Sequence, residues 1–288
     1  MDDVIFFEKT EDARTAVFQS PNESMPEKLC AYLSQKNIKT YTHQAEAYDA
    51  VRRGENIIVT TPTASGKTLS CLLPVFAKLL EIPDATALLI YPTKALTRDQ
   101  LLTIQEMDSA LNAKTRPAIY DGDTRQEARA KIRSRSRIIL TNMYELHHIL
   151  PWRAKWGDFF ANLSFVVIDE AHKYRGVFGS NTALLIRRLR RICNYYDGYP
   201  QFILSSATLG NAKRFAETLI GLSAEEISSD GSPRAKRTFR ICLNPKKSTS
   251  AAAAEIMQEK RKARAEAEAL NKENKRILVG AIITALLI

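Results

Sequence analysis

The chain has 288 residues, 45% hydrophobic and 26% charged, with a formal net charge of +10 at pH 7. That balance is ordinary for a globular protein with a sizeable core, and it excludes collagen-like and low-complexity classes. Four widely spaced cysteines (Cys30, Cys71, Cys193 and Cys242) exclude a disulfide framework and a CxxC metal site, while the basic excess admits a polyanionic partner, nucleic acid first, beside a solvated basic surface.

The N-terminal stretch "MDDVIFFEKTEDAR" is acidic and has no apolar leader, which fits the cytoplasm, and residues 1–25 read as an extension. Apolar β-rich runs follow at 56–60, 86–91, 116–120, 137–141, 164–169 and 201–206. Several are apolar throughout rather than alternating, as expected of parallel strands buried on both faces. Helical patterns lie between and after them, near 67–80, 93–112, 124–133, 142–149, 179–195 and 210–220. Strand and helix in this alternation predict an α/β fold, a mostly parallel doubly wound sheet with helices on both faces. "EEISS" at 225–229 and "KRTFRICL" at 236–243 read as closing strands around the turn "DGSP". Residues 246–288 read as a charged, alanine-rich helical linker and an apolar tail too short to cross a bilayer, so no membrane partner is expected.

Three motifs carry chemistry. "TPTASGKT" follows a strand and opens a helix, the context of a phosphate-binding loop. Thr61, Pro62, Thr63, Ala64 and Ser65 form its turn, and Gly66 lets backbone approach phosphates. Lys67 can reach the β and γ phosphates, and the Thr68 hydroxyl can ligate Mg²⁺. Thr61 stands where the usual pattern has glycine, at a turn position that leaves those contacts in place. "FVVIDEAH" then delivers Asp169 and Glu170 at a strand's C-terminal end, the edge where open α/β sheets bind ligands. Asp169 suits Mg²⁺ and Glu170 the orientation and deprotonation of an attacking water. "LSSATL" places Ser206, Ala207 and Thr208 after the next buried strand, which alone would read as a turn.

In this order the motifs resemble the first RecA-like, P-loop NTPase domain of superfamily 2 helicases, over roughly residues 26–245. "DEAHKYRGVFGS", "YPTKAL" and "YDGDT" are similar to the DEAH-type DNA-repair helicases of the bacterial mitomycin-repair group and their fungal RecQ4-like relatives, in which threonine opens the phosphate loop. The resemblance implies ATP and Mg²⁺ as cofactors. It also implies that Gln44 reads the adenine edge with Tyr41 packed close by, that Lys67, Glu170 and His172 are catalytic, and that Ser206, Ala207 and Thr208 couple nucleotide state to nucleic-acid binding. "YPTKALTRDQ" and "LTNMYELHHILP" look like nucleic-acid motifs, with Pro92, Thr93, Lys94, Arg98, Thr141 and Asn142 as contacts through helix N-termini and positive charge. Ordinary helix capping is the alternative for these positions. Trp152, Trp156, His147, His148 and the "RRLRR" run at 187–191 are expected to serve packing or the surface.

The implied partner is DNA, single-stranded or a tailed duplex, with RNA as the other possibility. The family also implies a second RecA-like domain with arginine fingers, and no Q-x-x-G-R-x-x-R run follows residue 245. The chain alone is therefore expected to bind ATP–Mg²⁺ weakly, hydrolyse it slowly and not unwind duplexes, with a separate chain as one source of the missing half. A non-catalytic half-motor that binds nucleic acid or protein is the other reading.

Overall fold

The structure, a computed structural model, describes residues 4–207 and 209–243. The C-terminal linker and tail expected after residue 245 and Thr208 lie outside the described residues. Residues 14–234 form one compact unit, and residues 4–13 with 235–243 form another.

The smaller unit is an antiparallel pair, β1 (Val4–Glu11) with β9 (Arg237–Leu243), irregular in register between Ile5 and Phe7. Arg240 meets Glu8 at 2.7 Å. The two closing strands expected around the turn "DGSP" do not pair with each other. Each piece is a strand, but β9 pairs with β1, and β8 (Glu225–Ile227) joins the large sheet beside β2 (Ile57–Val59).

The elements between are α1 (Glu27–Gln35), α2 (Thr42–Arg52), β2, α3 (Lys67–Glu81), β3 (Thr86–Ile90), α4 (Lys94–Leu111), β4 (Ala118–Ile119), α5 (Gln126–Arg135), β5 (Ile138–Thr141), α6 (Met143–Ile149), α7 (Gly157–Ala161), β6 (Leu163–Ile168), α8 (Gly176–Tyr195), β7 (Gln201–Ser205), α9 (Ala212–Ile220) and β8. Seven parallel strands lie in the order β4-β5-β3-β6-β7-β2-β8. Side chains alternate faces along each strand. Ile57 and Val59 face a core with α1 to α4, while Ile58 faces a core with α6 to α9. Phe165 and Val167 divide from Val166 and Ile168 in the same way. Both faces are buried, which is why these runs are apolar throughout. Burying each such side chain stabilises the fold by about 1.5–3 kcal/mol.

The main unit begins before residue 26 and ends before 245. Residues 14–25 belong to it because their backbone is tied down. Arg14 and Arg234 exchange backbone bonds, Tyr48 Oη donates to Ser24 O at 2.8 Å, and Asp49 accepts from the backbone of Asn22 and Glu23. Because the strands are parallel, the turns after β2, β3, β5, β6 and β7 gather along one edge of the sheet. No helix among the described residues is long and apolar enough to cross a membrane.

Candidate functional site

The phosphate loop lies between β2 and α3. Gly66 adopts φ +85°, and a Cβ there would come within 2.6 Å of Gln44 Nε2, so the position needs glycine twice over. The N–H groups of Lys67 and Thr68 have no acceptor within α3 and Gly66 offers no capping side chain, which leaves them for an anion, while Leu69 N donates to Gly66 O. Lys67 Nζ donates to the carbonyls of Thr61 and Pro62, each at 2.8 Å, and so arches over the loop. Burial holds this amine below the ordinary lysine pKa, against the pull of Glu170 and then Asp169. Thr61 is fully buried, with Oγ1 2.6 Å from Ser65 Oγ. Threonine in place of glycine thus supplies a strut across the loop. Pro62, Thr63 and Ala64 form its exposed crest, Ala64 in the left-handed region, and Thr68 stands half-buried in the first turn of α3.

Behind the loop, Gln44 is only 3% exposed. Its Oε1 accepts from Tyr41 N at 2.9 Å and its Nε2 donates to Gly66 O at 3.0 Å. Each end of the amide makes one backbone bond, so Gln44 braces the loop. Tyr41 stacks with Phe18 at 5.4 Å between centroids, and Phe18 is 52% exposed. Together they offer a flat aromatic surface beside the loop.

Asp169 follows β6, and its N–H donates to Ile90 O at 2.9 Å. Its Oδ1 accepts the Ser205 hydroxyl and the Glu170 N–H. Burial pushes the carboxyl above its usual range, and these two bonds pull it part of the way back. Glu170 takes a left-handed conformation, φ +49°. His172 Nδ1 lies 3.2 Å from Glu170 Oε2 and 3.5 Å from Ser206 Oγ, so the turns after β6 and β7 are in contact. Ser206 is buried and its N–H donates to Val59 O at 2.9 Å; Ala207 is half-buried. A buried carboxylate within electrostatic reach of a lysine offers the oxygen chemistry a divalent cation favours. Asp169 and the Thr68 hydroxyl thus fit Mg²⁺, and Lys67 with the loop amides fits a polyphosphate.

Further along the edge, Thr93 Oγ1 accepts from Leu96 N and caps α4, and Asn142 Oδ1 accepts from Glu145 N and caps α6. Lys94 and Arg98 both reach Asp123, at 2.6 and 3.0 Å, beside the half-exposed Pro92. Thr141 is corrected as a surface contact. It is fully buried and its hydroxyl donates to Tyr120 O at 2.7 Å, a β5-to-β4 brace. Trp156 anchors the core against Tyr120 and Phe159, whereas Trp152 is 62% exposed under Lys155. His147 and His148 are exposed. Arg187 donates to Thr218 O, and Arg190 to the carbonyls of Ile220 and Gly221, so two arginines of the "RRLRR" run cap the end of α9.

The model of the DEAD/DEAH box helicase family matches residues 41–215. The chain belongs to the DEAD/DEAH box helicase family. Its similarity to the uncharacterized ATP-dependent helicase YprA of Bacillus subtilis (strain 168) is 42% identity over 236 residues, 81% of this chain and 31% of YprA. With the ATP-dependent helicase HRQ1 of Saccharomyces cerevisiae it shares 40% over 220 residues, 74% of this chain and 20% of HRQ1. The crystal structure of the DUF1998 helicase MrfA bound to DNA and AMPPNP superposes with TM-score 0.82 at 39% identity, over 88% of this chain and 36% of that one. The chain thus spans a third or less of the length of these two curated relatives. They form the RecQ4/MrfA-like group that the DEAH segment resembles.

Several residues that shape this helicase domain's site escaped the sequence reading. Ser205, which holds Asp169, is one residue before the Ser-Ala-Thr triplet, at the end of β7. Its signal was available, since a serine closing an apolar strand at the ligand edge needs a partner. Phe18 had no local signal, because it meets Tyr41 only through the fold. His43 and Asp123 likewise find their partners outside their own segments.

Proposed function

We propose that residues 14–234 bind ATP with Mg²⁺ and a strand of nucleic acid, DNA first, and that they serve as the first motor unit of an ATP-dependent DNA helicase. The observation that carries this is the linkage of the turns after β6 and β7, Asp169 to Ser205 and Glu170 through His172 to Ser206, beside the Lys67 loop. The names of YprA and HRQ1 as ATP-dependent helicases, and the DNA and AMPPNP in the MrfA crystal, support it.

In this reading Lys67 releases the Thr61 and Pro62 carbonyls and takes phosphate oxygens instead. Phe18 and Tyr41 stack on the base. Thr68 and Asp169 would hold Mg²⁺, which when bound neutralises charge on the β and γ phosphates. Glu170 orients the attacking water and accepts its proton. His172 senses Glu170 and passes the change to Ser206 and Ala207, with Thr208 as the remaining coupling position. Pro92, Thr93, Lys94, Arg98 and Asn142 meet the phosphodiester backbone, which suits movement along any sequence. The closing half of the site, with its arginine fingers, comes from a second RecA-like unit in the same or another chain, and the protein works in the cytoplasm.

The test is ATP hydrolysis by the full chain with and without single-stranded DNA. Slow hydrolysis is expected, about 10³–10⁵ below a motor completed by an arginine finger. Lys67→Ala should remove nucleotide binding. Glu170→Gln should keep binding and lower hydrolysis by about 10²–10⁴. Full hydrolysis by Glu170→Gln would remove the assigned base, and a wild-type chain that binds no nucleotide would leave only the non-catalytic half-motor.

A further inference from the structure

His43 is 0% exposed, on the first turn of α2, and both of its ring nitrogens are engaged. Nε2 lies 3.0 Å from the carbonyl of Ser65 in the phosphate loop, and Nδ1 accepts the N–H of Gly231 at 3.3 Å. A nitrogen that accepts an amide N–H carries no proton, so the neutral ring holds its hydrogen on Nε2 and donates it to Ser65 O. The second contact therefore selects the tautomer that makes the first.

The Gly231 turn is itself seated tightly. Val17 N donates to Gly231 O at 2.8 Å, and Thr42 N donates to Val17 O at 3.2 Å. A Cβ on Gly231 would lie 2.6 Å from Val17 O and 2.8 Å from Thr42 N. Asp230 is held by Arg14 and Ser232, and Ser229 donates to Glu46 of α2. This turn is far from the loop in sequence, and His43 is the side chain that joins them.

We propose that His43 is a positioning residue of the phosphate loop, transmitting the seating of the 229–232 turn to the Ser65 carbonyl and so to the loop's shape. It is fully buried, and it acts through Ser65, whose hydroxyl in turn meets Thr61. As a claim about nucleotide affinity it rests on the ATP reading above; as a claim about loop order it does not.

Protonation would place a donor on Nδ1 against the Gly231 N–H. The charged groups around the ring are Asp230 on the turn, Glu46 on α2 and Lys67 on α3. Burial outweighs the carboxylates and keeps the ring neutral to lower pH than an ordinary imidazole. A histidine with a lowered folded value stabilises the fold above its unfolded value, about 6.5, and that stability is lost as pH falls. The loop should therefore loosen on acidification only once pH has fallen through the folded value, which lies below that of an ordinary imidazole.

Three measurements on the full chain test this. ¹⁵N-resolved imidazole spectra of the nucleotide-free protein should show His43 with its proton on Nε2 at pH 7.5; a proton on Nδ1 overturns the proposal. Amide hydrogen exchange across 63–67 should quicken about tenfold in His43→Ala, as two lost hydrogen bonds imply. His43→Gln should keep the donor to Ser65 and largely restore protection, while abolishing its acid dependence. Unchanged loop exchange in both variants overturns the proposal whatever nucleotide does. Kd for a fluorescent ATP analogue should rise about tenfold in His43→Ala and recover in His43→Gln. If the wild type binds no analogue while loop exchange still responds, the ATP reading fails and the positioning role stands. If His43→Ala does not fold, the Gln variant's pH profile decides: a profile matching wild type overturns the proposal.

Discussion

Lys94 Nζ lies 2.6 Å from a carboxylate oxygen of Asp123, whose other oxygen takes Arg98 at 3.0 Å. One exposed carboxylate thus occupies both cations of α4, the two proposed above to meet a nucleic-acid backbone. Hydrogen bonding to Lys94 holds the Asp123 carboxyl below its usual range, and under the proposed backbone contact this carboxylate would compete with phosphate. Asp123→Asn is expected to tighten single-stranded DNA binding roughly two- to fivefold, the range of exposed ion pairs. The salt dependence should steepen as freed cations displace counterions. Fluorescence anisotropy of a labelled oligonucleotide at several salt concentrations measures both, and Lys94→Ala should weaken binding. Indifference to both substitutions would place the strand elsewhere.

Burial of the charged Asp169 carboxylate carries a stability cost. The carboxyl pKa is raised by burial, so folding disfavours the charged form relative to the unfolded chain. The sign follows: this group favours folding below its unfolded value, near 3.9, and its contribution is lost as pH rises through the folded value. Asp169→Asn keeps an Oδ1 to accept from Ser205 and Glu170 while removing the charge. Its Tm without nucleotide or metal should exceed wild type at pH 7 by a few degrees, with the gain vanishing near pH 4. Calorimetry across that range checks it, and a lower Tm at pH 7 would contradict the burial argument. Binding of Mg²⁺–ATP should weaken in the same variant.

Thr61→Gly recreates the commoner loop pattern, and it is expected to harm this loop. The change removes the Thr61–Ser65 strut and adds backbone freedom, together about 1–2 kcal/mol. Urea unfolding should show that loss, with no gain in nucleotide affinity. Gly66→Ala should act more locally. A left-handed non-glycine costs about 1–2 kcal/mol, and its Cβ would push Gln44 off Gly66 O. Affinity for nucleotide should fall well beyond the change in stability; an Ala variant that binds like wild type would mean the loop relaxes freely.

The sheet was legible because its strands are buried on both faces. "NIIVT", "TALLIY" and "SFVVID" could be read as parallel strands without knowing their neighbours. Lys67 was legible because it opens the helix after a strand and glycine-ended loop, and Asp169 and Glu170 because they follow a strand end at the same edge. α1 and α2 were not predicted, because α2 "THQAEAYDAVR" buries His43, Gln44 and Asp49, polar residues that read as solvent-facing.

The amino-acid order by itself determined the strand succession and the chemistry at each strand's end, since hydrophobic period and motif spacing are local. The tertiary structure decided the partners. It gave β9 to β1, closed Asp123 over Lys94 and Arg98, turned Gln44 inward to Gly66, and set His43 between Ser65 and Gly231. Such contacts join residues tens to hundreds of positions apart. A polar side chain carries no mark of its distant partner, because the free energy that pairs them exists only once burial has removed the competing water.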